Sequence, residues 1–144
     1  LQDYNRAVIV GEKATFGKGT VQQLRPVQTQ RLLLPFQPGN TMNGALKLTI
    51  QTFFRINGYS TQLLGVIPDI KLPSTNDVLE IGESALRNPL DVEPIQAETY
   101  EPVNESLPIK ALTANVEKRI AEDQEFKYMR EDITEATRRI EENT

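Results

Sequence analysis

The sequence has no cysteine and no histidine among its 144 residues. Without cysteine, this chain can form no disulfide framework, no thiolate nucleophile and no cysteine-ligated metal site. Without histidine it can form no Ser-His-Asp triad, and it loses the commonest metal ligand. No apolar run approaches the ~18 residues that a membrane-spanning helix needs. We therefore expect no metal site and no cofactor, and any catalysis has to use another base.

The chain has the size and composition of a folded domain. With 38% hydrophobic and 25% charged residues, it resembles soluble globular proteins in composition. A domain of this length buries about 68–70% of its unfolded surface. Because the sequence starts at Leu1 without a methionine or a recognisable signal peptide, we expect it to be a fragment of a longer protein.

Acidic and basic residues are unevenly distributed. Residues 1–73 contain eight lysines and arginines and three acidic residues, whereas residues 74–144 contain eight and seventeen. This asymmetry predicts two parts with a boundary near residue 73. The basic residues of the first part are scattered singly and are not clustered, so no nucleic acid partner is expected.

Apolar patterns predict a sheet in the first part. Residues 6–12, RAVIVGE, indicate a buried strand of a parallel or mixed sheet. Residues 20–27 are expected to form a second strand, and residues 29–43, which contain two prolines, an irregular loop. Residues 45–56 alternate as a half-buried strand does. The predicted buried face of that strand consists of Leu46, Leu48, Ile50, Phe54 and Ile56.

Beyond residue 73 the sequence predicts a connecting segment followed by two helices. Residues 74–104 are polar, proline-rich and acidic, with a short helical patch around residues 82–88. From Leu107 the apolar period becomes helical, and Asp123 is expected to cap a second helix. The two apolar stripes are Ile109, Leu112, Val116 and Ile120, then Phe126, Met129, Ile133, Ala136 and Ile140. A coiled coil is the weaker alternative, because it needs ~3–4 heptads.

Together these patterns predict an α/β (α+β) fold. A mixed sheet over residues 5–70 would carry the two helices on or beside it. If part of the protein is absent, strand edges and apolar surface should be left uncovered. We therefore expect the fragment to self-associate through those uncovered strand edges.

One lysine stands between two glycines in ATFGKGTVQQ, residues 14–23. A phosphate-binding P-loop needs G-x-x-x-x-G-K-[ST]. Counted from Gly11, Phe16 stands at the second glycine, and the residue after the lysine, where serine or threonine is required, is Gly19. The P-loop interpretation therefore fails. Lys18 remains either a solvated lysine on a glycine turn or a general base.

A lysine that acts as a base must have its pKa lowered from ~10.4 to ~7–8. Burial beside apolar groups, with no carboxylate nearby, achieves this. No acidic residue lies between Glu12 and Asp69, and the flanking glycines allow other backbone to approach closely. Gln22, four residues on, would share the face of Lys18 in a regular strand or helix. The residues alone leave both interpretations of Lys18 open.

Several blocks resemble the tail-specific proteases, also called C-terminal processing peptidases. The closest resemblance is AVIVGEKATFGKGTVQQ (residues 7–23), with LQDYNRAVIVGE (residues 1–12) overlapping its start and TIQTFFRINGYSTQLLGVIPDI (residues 49–70) after it. Their order and spacing are similar to that family over residues 1–72. Residues 87–100 and the helical tail are similar, more weakly, to the C-terminal region of the tail-specific subgroup.

The resemblance implies a serine endopeptidase with a Ser-Lys dyad. Lys18 would be the general base and Gln22 would position it. Residues 1–73 would be the C-terminal part of a crotonase-like peptidase core, and residues 74–144 an acidic connecting segment and two-helix region. The family also implies protein or peptide substrates with apolar C-termini, and a bacterial periplasm or cell envelope as the location.

The resemblance also implies that the nucleophile is missing from this chain. In the family the serine and a PDZ domain lie upstream of the block that starts at Leu1. The serines present are expected to be turn or cap residues: Ser60, Ser74, Ser84 and Ser106. We therefore expect the fragment alone to be inactive. The alternative is a non-catalytic interaction or structural module in which Lys18 is an ordinary surface residue.

Overall fold

The computed structural model describes residues 1–27 and 44–142. The irregular loop predicted over residues 29–43 lies outside the described residues. Two short 3₁₀ helices, Thr75–Val78 and Glu83–Ala85, precede the α-helices. The strands and α-helices are β1 (Val10–Gly11), β2 (Thr20–Pro26), β3 (Ala45–Thr52), β4 (Ile70–Lys71), α1 (Ile109–Glu122) and α2 (Gln124–Glu142).

The chain divides into two compact units. One comprises Leu1–Gly19 with Phe54–Thr144, and the other is Thr20–Phe53. This division follows contacts along the fold, and it separates a hairpin from the remainder of the chain. The predicted boundary near residue 73 concerns domains of the longer protein, and it stays a prediction.

The smaller unit contains an antiparallel hairpin of β2 and β3. Its register pairs Gln23 with Leu48 and Arg25 with Leu46, and it skips Ile50, so the ladder has an irregularity there. The strand predicted over residues 45–56 is confirmed but ends at Thr52. Its predicted burial is wrong, since Leu46, Leu48 and Ile50 are 53%, 41% and 51% exposed. A two-stranded sheet buries a face only if another element covers it, and the described residues do not cover this one.

The larger unit contains the parallel pair β1–β4. Val10 pairs with Ile70 and Gly11 with Lys71. The strand predicted over residues 6–12 is therefore reduced to two residues, although its parallel pairing is correct. Its predicted burial is wrong at Val10, which is 49% exposed, whereas its partner Ile70 is 3% exposed.

The predicted single mixed sheet is wrong for the described part of the chain. The parallel and antiparallel pairs form two separate two-stranded sheets. The mixed α/β class with C-terminal helices is confirmed. The crotonase-like core stays a prediction, because strands that would join these pairs into one sheet are not among the described elements.

The helical region follows the sequence pattern closely. α1 packs against β4 and α2, and α2 packs against the first 3₁₀ helix. The carboxylate of Asp123 accepts hydrogen bonds from the backbone N–H groups of Glu125 (2.9 Å) and Phe126 (3.4 Å), which confirms the predicted cap. Ile120 of the first stripe is buried, and most other stripe residues are half-buried.

Within the larger unit, polar side chains tie the N-terminal residues to Arg55 and Asp69. Arg55 forms an ion pair with Asp3 and donates to Gln2 Oε1 (2.8 Å). Gln2 in turn donates to Asp69 Oδ1 (2.8 Å), and Asp69 Oδ2 accepts from the N–H of Ile9 (2.8 Å). This network holds the segment before β1 against the segment that leads into β4, and so fixes where the chain enters the lysine loop.

Candidate active site

The lysine loop, residues 14–19, is held by residues 61–63. The N–H of Leu63 donates to the carbonyl of Gly17 (2.7 Å). The hydroxyl of Thr61 donates to the carbonyl of Lys18 (2.9 Å). The N–H of Gly19 donates to Oε1 of Gln62 (2.8 Å). The peptide groups on both sides of Lys18 are therefore fixed by three consecutive residues.

The two glycines permit this close approach. Gly17 has a φ of +93°, and a Cβ there would collide with the carbonyl of Leu63. A Cβ at Gly19 would collide with the hydroxyl of Ser60 and lie 2.5 Å from the backbone nitrogen of Gln62. Both glycines are buried. The prediction that flanking glycines admit other backbone is confirmed, and residues 60–63 are the backbone admitted.

The Lys18 side chain is exposed, although the glycines beside it are buried. Phe16, two residues before Lys18, is itself 53% exposed. The described chain thus fixes the lysine backbone without enclosing the side chain. The apolar enclosure that a lysine base needs is not supplied by these residues.

A buried amide at Gln62 was missed by the sequence analysis. Gln62 is 5% exposed, and its Nε2 donates to Oε1 of Glu83 (3.1 Å). The N–H of Glu83 also donates to the carbonyl of Phe16 (2.7 Å). A carboxylate therefore reaches the surroundings of the lysine loop from beyond Asp69, which corrects the expectation of a carboxylate-free neighbourhood. No local sequence signal marks Gln62, because its partners lie 43 and 21 residues away.

Gln22 lies in β2, in the smaller unit. Its amide donates to the hydroxyl of Thr49 across the hairpin (3.3 Å). An offset of four places Gln22 and Lys18 on one face only if residues 18–22 form a regular element. β2 begins only at Thr20, so this condition is not met. The pairing of Gln22 with Lys18 stays a prediction.

Local hydrogen bonds give Ser60 and Ser74 the turn and cap roles that the sequence predicts. The Ser60 hydroxyl accepts from the N–H of Gln62 (3.1 Å), two residues on. Ser74 caps the first 3₁₀ helix and accepts from the N–H of Asn76 (3.1 Å). Ser84 and Ser106 are exposed. The capping box of Ser74 and Asp77 was a readable signal for a helix that the sequence analysis did not predict.

In the described part of the chain, no cluster of three or more acidic side chains is arranged to hold a metal ion. Within residues 1–27 and 44–142, no helix combines the length and apolar character needed to cross a membrane.

Comparison with known proteins decides the family. Residues 1–72, half of the chain, match the model described as Peptidase family S41. The chain belongs to peptidase family S41. Residues 76–144 of this S41 chain match the model described as the C-terminal domain of tail specific protease. The resemblance found in the sequence is thereby confirmed.

Two curated relatives have matching names. The chain is 39% identical over 137 residues to the tail-specific protease of Haemophilus influenzae. The aligned region covers 92% of this chain and 19% of the relative. It is 37% identical over 93 residues to the carboxy-terminal-processing protease of Bartonella bacilliformis, covering 60% of this chain and 18% of the relative. The S41 chain thus spans about a fifth of the length of these relatives, and they are proteases.

Proposed function

We propose that the protein containing this chain is a serine endopeptidase in which Lys18 is the general base of a Ser-Lys dyad. The Lys18 amine takes the proton of the serine hydroxyl as that oxygen attacks the scissile carbonyl carbon. The proton then passes to the leaving amine as the carbon–nitrogen bond breaks, and water hydrolyses the resulting ester. One observation carries the proposal: residues 61–63 fix both peptide groups beside Lys18 and leave the residue exposed.

A fixed backbone suits a base and has little purpose for an ordinary surface lysine. A general base acts only within hydrogen-bond reach of the proton that it accepts. Two constrained glycines and a buried amide restrict the conformations of the chain around Lys18. This restriction is explained if the amine must meet a serine at a fixed point.

In this proposal the serine and the apolar enclosure come from the rest of the protein. The matched regions make up 19% and 18% of the two relatives, so most of such a protein lies outside these residues. The exposed side chains of Lys18 and Phe16 would be covered there. Gln22 would orient the amine once β2 is joined to the complete core, and the 144-residue chain alone would be inactive.

The substrate class and location are proposed on family resemblance. The relatives' names refer to protease action at tails or carboxy termini. We assign this protein substrates with apolar C-termini, and a site of action in the periplasm or cell envelope of a bacterium.

Substitutions at Lys18 in the full-length protein test the proposal. Lys18→Ala should lower cleavage of an apolar-tailed peptide by about 10²–10⁴-fold, the usual contribution of a general base. Lys18→Arg should fail equally, because a guanidinium does not accept a proton in this pH range. Lys13→Ala, which removes a nearby exposed lysine, is the matched control and should cleave normally. Full activity of both Lys18 variants would instead favour the non-catalytic module.

A further inference from the structure

We propose that Gln62 is a positioning residue for Lys18 and that Glu83, from the C-terminal domain, sets its orientation. This inference rests on the proposed role of Lys18 as a base. It assigns a function to the one buried amide that contacts the lysine loop among the described residues.

The two ends of the Gln62 amide are used differently. Its oxygen accepts from the N–H of Gly19 at 2.8 Å, and its nitrogen donates to the carboxylate of Glu83 at 3.1 Å. An ionised carboxylate can only accept hydrogen bonds. Glu83 therefore selects the amide rotamer that turns the NH₂ group away from Gly19 and presents the oxygen to it. In the flipped rotamer two donors would face each other.

The hydrogen bond to Gly19 acts directly on the backbone of Lys18. The N–H of Gly19 and the carbonyl of Lys18 belong to one peptide group, and Thr61 holds the carbonyl end (2.9 Å). Movement of this peptide group would shift the Lys18 Cα and with it the point from which the side chain extends. With both ends held, the fold fixes the position and the Cα–Cβ direction of Lys18, so that only its side-chain torsions remain to be set.

Glu83 connects this support to the C-terminal domain. It lies in the second 3₁₀ helix, Glu83–Ala85, within the residues that match the C-terminal domain of tail specific protease. Its N–H donates to Phe16 in the lysine loop (2.7 Å), and its carboxylate holds Gln62. One residue of that domain therefore binds both the lysine loop and the amide that supports it.

The test uses four variants of the full-length protein, assayed where circular dichroism shows each to be folded. Gln62→Leu, of similar volume, should lower kcat by about 10²-fold, the cost of a misplaced catalytic group, while KM stays near the wild-type value. Gln62→Glu should also lower kcat, because two carboxylates then face each other. Adding Glu83→Gln should recover at least about tenfold of that loss, as expected for a directly coupled pair. Glu83→Gln alone keeps an acceptor for Gln62 and should have a small effect.

Two results would overturn the inference. One is an unchanged kcat in folded Gln62→Leu, which a merely structural amide would give. The other is the same kcat for the single variant Gln62→Glu and the double variant Gln62→Glu/Glu83→Gln. This comparison tests the inference even if Gln62→Leu does not fold. Lys18→Ala separates the two levels of the account. An inactive Lys18→Ala with unaffected Gln62 variants removes only this inference, whereas an active Lys18→Ala removes the proposed function as well.

Discussion

At the scale of single residues, Lys18 is held through its two peptide groups. The backbone of Leu63 and the side chains of Thr61 and Gln62 form the three hydrogen bonds, and the glycines on either side make room for them. A lysine between two glycines is conspicuous, because glycine gives the unfolded chain conformational freedom that folding must remove. Here that freedom is removed by contact with residues 60–63.

Gly19→Ala should destabilise the protein by about 1–3 kcal/mol, the usual cost of overpacking. The added methyl group would collide with the Ser60 hydroxyl and the backbone of Gln62. Urea unfolding of the full-length protein measures the effect. Gly11→Ala is the control, since a Cβ there meets nothing within 4 Å. Equal unfolding midpoints for the two variants would contradict the packing described.

The site could be predicted from the sequence only in part. Lys18 stands out because its flanking glycines and the surrounding motif are local in sequence. Gln62 and Glu83 do not, because the contacts that bring them to the lysine loop span 43 and 21 residues and depend on tertiary structure. No acidic residue lies between Glu12 and Asp69 in the sequence. In the folded chain, however, Glu83 comes close to the lysine loop.

At the scale of elements, helices were easier to predict than strands. The stripe and cap of α2 lie within the helix itself, so Asp123 and the apolar period locate its start. The extent of β1 is set by its partner β4, which pairs with only two residues. Which face of β3 is buried depends on the element that covers it. Strand lengths and buried faces depend on partners that a local pattern does not contain.

The ion pairs near the end of α2 predict a dependence on acid. Hydrogen bonds from Arg138 first and Arg139 second lower the pKa of Glu135 from its ordinary value of 4.5 to about 2. Because the folded pKa lies below the ordinary value, the contribution to stability is present above pH 4.5 and is lost as the pH falls from 4.5 to about 2. These groups are exposed, so salt screens the effect.

We therefore expect Glu135→Gln to lower the thermal midpoint of the full-length protein at neutral pH and low salt. The difference from wild type should shrink in high salt and disappear toward pH 2. Glu131→Gln controls for the loss of one negative charge on the same helix. A difference between Glu135→Gln and wild type that is independent of pH and salt would refute the ion-pair explanation.

At the scale of the whole molecule, the apolar surface indicates what the chain needs around it. Among the described residues the buried apolar side chains are Ile70 and Ile120, whereas Leu46 and Leu48 lie on an uncovered face of the hairpin. Such surface usually marks a contact with other protein. We attribute it to the remainder of an S41 peptidase core.

The isolated 144-residue chain should consequently self-associate. Sedimentation velocity over a wide concentration series should show a rising average mass. Leu46→Lys places a charge on the apolar face of β3 and should reduce association. Ala45→Lys adds the same charge to the neighbouring residue, on the opposite face of the strand, and should reduce it less. A monomer at every concentration would count against the uncovered surface as an association site.

The role of Lys18 as a proton acceptor is tested most directly by chemical rescue of Lys18→Ala in the full-length protein. We expect kcat/KM for an apolar-tailed peptide to fall by about 10²–10⁴-fold and to rise again with added methylamine, which can accept a proton. Tetramethylammonium, which carries charge but accepts no proton, should restore nothing. Undiminished cleavage by Lys18→Ala, or equal recovery with both compounds, would contradict the account.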